Sequence, residues 1–270
     1  MALAWYNHLL CHGLGAVFGV LLALGIPCRS MKFIWHASPG HARSLGMHVI
    51  DPAGNPTQEE SYILRIPLRQ LRSGMRDEEI LARFSNGFFA GFVFAPERWI
   101  APFVQGIIDH EVFTNARVLG HHDSSRHLDV CKIDRPDAMP RLSLPPLGAC
   151  LFGLYYLIDT SACSAEDRIS TFPSSAAILR PDCSFVEFAG RTSGRSLAAS
   201  HRFEVSRDDE PWANGCATTT GEKHVTIVYS HVRSNPRTGG QVYSRLMTAM
   251  HVCYAHLLFA NGVREVLRPG

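Results

Sequence analysis

Several signatures of well-known chemistry are missing from this sequence. It contains no G-x-S-x-G, no Walker loop, no G-x-G-x-x-G and no H-E-x-x-H, so hydrolase, nucleotide-binding and zinc-protease functions have no motif support. Its 8 cysteines include no C-x-x-C pair and follow no zinc-site spacing. Their even number permits disulfides without requiring them. We therefore expect neither a metal nor any other cofactor.

Lysine is also scarce, because it occurs only at Lys32, Lys132 and Lys223. The net charge of +2 is close to zero, so nothing indicates a nucleic-acid partner. By contrast, apolar residues make up 46% of the 270 residues and charged residues 19%, which excludes disorder over most of the chain. This length suits one large domain with an appendage, and no fixed-period repeat is present.

The most apolar segment is Leu9–Ile26, which contains no Lys, Arg, Asp or Glu. At about 18 residues it is just long enough to span a bilayer as a helix. No Lys or Arg precedes it, whereas Arg29 and Lys32 follow it, so the positive-inside rule places the bulk of the protein on the cytosolic side. We therefore expect residues 1–30 to act as a membrane anchor and residues 31–270 to form one ligand-binding domain.

Other interpretations of this apolar segment remain open. A cleaved signal peptide would direct the protein to secretion, but the basic n-region is missing and no N-x-S/T acceptor occurs in the chain. A helix packed on the domain, or a later start of translation, would equally account for the composition.

The last third of the chain has the clearest secondary-structure pattern. Three β-branched and aromatic runs bounded by turn residues, 183–189, 199–205 and 224–232, predict an antiparallel meander. Segment 241–263 has apolar residues at a 3.6-residue period, which predicts a long helix whose apolar stripe includes Leu246 and must be buried. We predict an α+β fold in which a curved antiparallel sheet packs on this C-terminal helix, with an N-terminal apolar helix.

Upstream segments are expected to complete the sheet and the helical layer. Residues 61–66 predict a short strand, and residues 78–86 predict a helix with Asp77 as its N-cap. Residues 97–110 predict a further helix after Pro96. The aromatic residues between these two helices are expected to pack in the core.

Alternation along the three C-terminal strands indicates where chemistry could occur. Glu187, His201 and His231 each share a strand face with apolar residues, and Tyr229 shares the face of His231. Such a group is either a hydrogen-bonded part of the core or part of a site, and for each residue alone the structural role is favoured. Three such groups on neighbouring strands favour one ligand cavity. There His and Glu can exchange protons near neutral pH, so we take these four residues as candidate catalytic residues.

A second group of possible ligands lies in the segment GHHDSSRHL. Three histidines and a carboxylate occur together there, at His121, His122, Asp123 and His127. A loop could fold three of them onto one ion, but a metal pair on a helix would need i,i+4 spacing and no helical pattern is present. A solvated polar loop is the favoured interpretation.

The segments CSFVEFAG, SLAASHRFEVSRDDE and HVTIVYSHVRSNP, followed by the long helix, are together similar to the C-terminal part of START-like helix-grip proteins. This resemblance implies a curved antiparallel sheet that wraps a C-terminal helix around a hydrophobic cavity. Members of that superfamily include lipid carriers and polyketide cyclases. The resemblance covers about the last third of the chain and carries over no catalytic residue.

Three functions follow from these patterns. The first is a tailoring enzyme that acts on an apolar metabolite by cofactor-free acid–base chemistry, such as cyclisation, dehydration or isomerisation. The second is a non-catalytic carrier of a lipid or apolar metabolite. The third is a membrane-anchored interaction protein without a pocket. We favour them in that order, and the sequence does not specify the substrate or the oligomeric state.

Overall fold

The computed structural model describes residues 30–114, 131–161, 183–207 and 223–269. All the elements named below belong to the unit Met31–Gly270. The apolar run Leu9–Ile26 and the loop with His121 and His127 lie outside the described residues, so the membrane anchor stays a prediction.

A mixed sheet of eight strands forms the centre of the described residues. Its strands are β1 (Lys32–Ile34), β2 (Thr57–Pro67), β3 (Lys132–Ile133), β4 (Cys150–Leu151), β5 (Tyr155–Thr160), β6 (Cys183–Arg191), β7 (Ala198–Ser206) and β8 (His224–Ser234). They lie in the order β1-β2-β8-β7-β6-β5-β4-β3. All neighbouring strands are antiparallel except β3 and β4, which are parallel.

The predicted meander is confirmed, since β6, β7 and β8 are consecutive antiparallel neighbours. The prediction of a wholly antiparallel sheet is wrong at one edge, where β3 and β4 pair in parallel. The strand predicted over 61–66 is longer than its apolar pattern suggested. It extends over Thr57–Pro67 and pairs with β8 along this whole length, which places Glu60 inside the sheet.

Helices cover both faces of the sheet. They are α1 (Leu45–Ile50), α2 (Asp77–Ser85), which continues into a π-helical turn (Asn86–Ala90), α3 (Ala95–Val104), α4 (Glu111–Thr114) and α5 (Arg245–Val266), with 3-10 turns at His41–Arg43, Leu68–Gln70, Gln105–Ile107 and Pro136–Ala138. Serine side chains begin two of the helices. Ser44 accepts a hydrogen bond from Met47 N–H at the start of α1, and Ser244 accepts one from Met247 N–H at the start of α5. The sheet and the helices together confirm the α+β class and the C-terminal helix.

The two faces of the sheet differ in chemistry. The first, here called the aromatic face, packs against α2, the π-helical turn and α5. Its core consists of closely packed aromatic rings from the sheet and these helices: Tyr62, Phe84, Phe88, Phe89, Phe188, Phe203, Tyr229 and Phe259. The second, here called the polar face, packs against α1 and the 3-10 turn His41–Arg43, and it includes Glu187, Arg202 and Ser230.

The π-helical turn and α5 approach each other through two glycines. A methyl group on Gly87 would lie 2.6 Å from the Asn261 carbonyl oxygen and 2.8 Å from Gly262 Cα. One on Gly262 would lie 2.7 Å from the Phe84 ring. The Asn261 side chain donates a hydrogen bond of 2.5 Å to the Gly87 carbonyl. The main chains are therefore in direct contact here, which fixes the C-terminal half of α5.

The two halves of α5 differ in burial. The C-terminal half, from Ala255 to Val263, is buried apart from His256, whereas Leu246 near the start is 66% exposed. The prediction that the apolar stripe is buried along the whole helix is therefore wrong for its first turns. Among the described residues, α5 is the one helix long and apolar enough to cross a membrane, with 44% of its apolar window buried. A core helix of a soluble protein has the same properties.

This difference predicts opposite outcomes for two leucines on the same helix. Leu257→Ala is expected to lower the free energy of unfolding by about 2–3 kcal/mol, because the side chain is only 5% exposed and its removal leaves a cavity. Leu246→Ala is the matched control and should change it by less than about 0.5 kcal/mol. Chemical denaturation measures both, and equal losses would contradict the described packing of α5.

Candidate functional site: a glutamate and histidine cluster beside the C-terminal helix

A row of side chains crosses four strands on the aromatic face. Phe188 of β6 is opposed to His201 of β7, His201 to His231 of β8, and His231 to Glu60 of β2. Directly opposed residues of antiparallel strands point to the same face of a sheet. The row therefore brings two imidazoles and a carboxylate together within an otherwise aromatic surface.

α5 adds a third imidazole to the end of this row. His251 Nε2 lies 2.9 Å from Glu60 Oε1 and 3.1 Å from His231 Nδ1, and His231 Nδ1 lies 3.5 Å from the same carboxylate oxygen. Glu60 and His231 are buried, whereas the side chain of His251 is 18% exposed. These three residues, here called the Glu–His cluster, are connected to solvent through His251.

A single arginine balances the charge of Glu60. Arg233 donates to Glu60 Oε2 at 3.3 Å and to Gln58 Oε1 at 3.3 Å, and its guanidinium lies 4.9 Å from the centre of the Tyr243 ring. It also lies 3.2 Å from His231 Nδ1. Arg233 is itself buried, so the carboxylate and the guanidinium neutralise each other inside the protein.

The protonation states follow from burial and from these contacts. Burial raises the pKa of the Glu60 carboxyl, but the adjacent His231 and His251 outweigh it and hold that pKa well below its usual range. Burial lowers the pKa of His231 to about 4, despite the opposing effect of Glu60. Burial also holds the pKa of His201 well below its ordinary value. At neutral pH the cluster therefore combines an ionised Glu60 carboxylate with an uncharged His231 imidazole.

His201 links the cluster to the aromatic core. Its ring stacks on His231 at 4.6 Å and packs edge-on against Tyr155 at 4.8 Å, and its Nδ1 lies 2.9 Å from the Tyr229 hydroxyl. Its other nitrogen, Nε2, is buried without a hydrogen-bond partner. The structure thus places three of the sequence-derived candidates, His201, Tyr229 and His231, within contact of one another.

Glu187, the fourth candidate, lies on the other side of the sheet. In the register of β6 and β7, Glu187 is directly opposed to Arg202. A shift of one residue would instead oppose it to His201. The expectation of one shared face holds for His201 and His231 and is corrected for Glu187. Since the sheet separates them, Glu187 cannot contact a molecule bound at the histidines.

On the polar face Glu187 belongs to a buried network of charged and polar side chains. Its Oε1 accepts hydrogen bonds from Ser44 at 2.5 Å and from Ser200 at 2.7 Å. Arg202 lies 3.7 Å from its Oε2 and 2.9 Å from Glu204 Oε1. Burial raises the pKa of Glu187 to about 7, although Arg202 and the two serines oppose this.

His41 joins the same network from the 3-10 turn. Its two ring nitrogens contact Ser230 Oγ and Ser200 Oγ, both at 2.9 Å. Burial holds its pKa well below the ordinary value, and the charge of Arg202 adds to this effect. His41, Glu187 and Arg202 are all without solvent exposure. We interpret this network as structural, because it joins α1 to the sheet and presents no group to solvent.

Sequence reasoning missed Glu60, His251 and Arg233. The predicted strand 61–66 began one residue after Glu60, because the acidic residues before Ser61 interrupt its apolar pattern. Along the sequence, the nearest histidine to His251 is His256, five residues further on, and this spacing on one helix excludes a shared ion. Its partners lie instead on β2 and β8, and a sequence pattern carries no signal for such a contact.

No protein-family model, curated protein or solved structure matches the chain. The site is therefore interpreted from its own geometry.

Proposed function

We propose that the protein is an enzyme that binds an apolar metabolite beside the Glu–His cluster and moves a proton on it, in a cyclisation, dehydration or isomerisation. The observation that carries this proposal is the contact of His251 with buried Glu60 and His231 in a surface otherwise made of aromatic rings. Small-molecule sites usually combine apolar surroundings with a few convergent polar groups, and here the polar groups converge at the partly exposed His251.

The roles follow from position. His251 is the member of the cluster exposed to solvent, so it is the one placed to take a proton from a substrate or return it. The Glu60 carboxylate stabilises the positive charge that forms when either neighbouring imidazole is protonated. His201 and Tyr229 lie deeper and are positioning residues, because they hold the ring of His231 by stacking and by their own hydrogen bond.

The fold is consistent with the START-like resemblance in one respect, since a long C-terminal helix packs against a largely antiparallel sheet. Members of that superfamily include both carriers and cyclases. A carrier would need the aromatic face but not the Glu–His cluster. The cluster is therefore the feature that favours an enzyme over a carrier.

The test begins with the unknown ligand. Native mass spectrometry of the full chain purified from its source should show a retained apolar molecule, and incubation of that molecule or its close analogues with the protein should convert it. His251→Ala should lower kcat/KM by at least about 100-fold, because acid–base groups contribute on that scale. The melting temperature should stay close to that of the wild type, because His251 is partly exposed.

His36→Ala provides the control, since His36 is exposed and lies outside the cluster. His231→Gln should lower turnover as His251→Ala does, and the glutamine side chain avoids a large cavity in the core. A ligand that wild type retains but never converts would overturn the enzyme and identify a carrier. Equal turnover by wild type and His251→Ala would show that the cluster is not the site.

A further inference from the structure

We propose that Glu60, His231 and His251 bind a single divalent transition-metal ion of the zinc or iron(II) class. The inference rests on the proposed function only in that both use the same cluster. It replaces the expectation of cofactor-free chemistry and makes His251 a metal ligand in place of the group that transfers the proton. The three ligand atoms are Glu60 Oε1, His231 Nδ1 and His251 Nε2, and all lie within 4.8 Å of one another.

The distances between these atoms fit a common ion. They are 2.9, 3.1 and 3.5 Å. Ligands at about 2.1 Å from a metal lie about 3.0 Å apart in octahedral geometry and about 3.4 Å apart in tetrahedral geometry. The cluster therefore already has the dimensions of three ligands on one side of an ion.

The second observation is an unsatisfied carboxylate oxygen. Glu60 is without solvent exposure, and its Oε1 has no hydrogen-bond partner although two ring nitrogens lie nearby. A buried carboxylate oxygen without a donor is costly, so such atoms are normally paired. An ion at the meeting point of the three atoms would satisfy Glu60 Oε1 directly.

Ligand chemistry selects the class of ion. Two imidazoles and one carboxylate suit Zn²⁺, Fe²⁺ or Co²⁺, whereas Mg²⁺ and Ca²⁺ prefer sites made wholly of oxygen. The three ligands come from β2, β8 and α5, so the remaining coordination positions of an ion would be filled by water or substrate. An ion so placed polarises a carbonyl or lowers the pKa of bound water.

Arg233 contributes one positive charge to the site when a metal ion is bound. It must keep its bond to Glu60 Oε2 and move away from His231 Nδ1, which it now approaches at 3.2 Å. With Glu60 ionised and Arg233 charged, a divalent ion leaves the site with an excess of positive charge. A hydroxide or a substrate oxyanion would balance this charge. The site therefore favours substrates that can form an enolate or carry a carboxylate.

Metal binding can be measured without any substrate. The metal-free full chain should bind one Co²⁺ or one Zn²⁺ in calorimetric titration, with visible absorption of the Co²⁺ complex that indicates histidine ligands, and Mg²⁺ should not compete. His251→Ala and Glu60→Gln should each weaken this binding by at least about 100-fold. His256→Ala, on the same helix but outside the cluster, should leave it unchanged.

Two results would overturn the inference. One is the absence of Co²⁺ and Zn²⁺ binding by folded wild-type protein. The other is binding that survives both His251→Ala and Glu60→Gln, which would place the ion on other residues of the chain. Circular dichroism verifies that each variant is folded, and His251→Ala decides if Glu60→Gln does not fold. Loss of turnover in His251→Ala without metal binding by the wild type would retain the proposed enzyme and reject the metal.

Discussion

Replacement of Arg202 by methionine is expected to lower the free energy of unfolding by about 3–5 kcal/mol. The guanidinium is fully buried on the polar face, 2.9 Å from Glu204 and 3.7 Å from Glu187, and it lies 3.8 Å above the Phe185 ring. Methionine keeps most of the packing against that ring but removes the charge. Two buried carboxyl groups then remain without a cation, and this is the most costly way to break a buried ion pair.

Urea denaturation at neutral pH measures the loss. Arg237→Met is the matched control, because Arg237 is exposed, and it should change stability by less than about 0.5 kcal/mol. A loss below about 1 kcal/mol at neutral pH would show that Arg202 is not needed to neutralise this network.

Stability should also fall as the pH rises from about 4.5 to about 7, by an amount on the order of 3 kcal/mol that belongs to Glu187. Burial raises the pKa of this carboxyl to about 7 in the folded protein, while the unfolded chain has its ordinary value. The folded state therefore holds the proton more strongly. Its stabilising effect is complete below the unfolded pKa and is lost as the pH rises through the folded one.

Burial is the main reason why this carboxyl keeps its proton, and the charge of Arg202 opposes it. Arg202 and Glu204 form a pair at 2.9 Å, so an ionised Glu187 would be a second buried anion with no cation of its own. In Glu187→Gln the slope should disappear, so the stability difference between wild type and variant should change across this pH range. Glu78→Gln, which alters a partly exposed acid on α2, should keep the wild-type slope. A parallel course for wild type and Glu187→Gln would contradict the raised pKa.

The sequence was sufficient to predict the parts of the fold that depend on local pattern. The runs that became β6, β7 and β8 are rich in β-branched and aromatic residues and end at turn residues, so their pairing in order followed from the tendency of consecutive strands to be neighbours. The position of β2 beside β8 could not be predicted, because Glu60 and His231 are brought together by tertiary contacts alone. The parallel pairing of the two-residue strands β3 and β4 likewise has no sequence pattern.

Register explains why the candidate site was only partly predictable. Alternation correctly assigned His201 and His231 to strand faces, but it does not specify which residue of one strand opposes which residue of the next. In the observed register Glu187 opposes Arg202 and not His201, a difference of one residue. Glu187 therefore belongs to the structural network of the polar face and not to the histidine row. His251 then reaches Glu60 from a helix, and helical periodicity along α5 gives no information about a partner on a strand.

The close contact between Gly87 and Gly262 holds α5 in its C-terminal half. The helix has 22 residues and is about 33 Å long. His251 lies in the N-terminal half, beside Val252, whose carbonyl accepts a hydrogen bond from Tyr62. The spacing of the Glu–His cluster therefore depends on the N-terminal half of α5, whose first turn is exposed at Leu246.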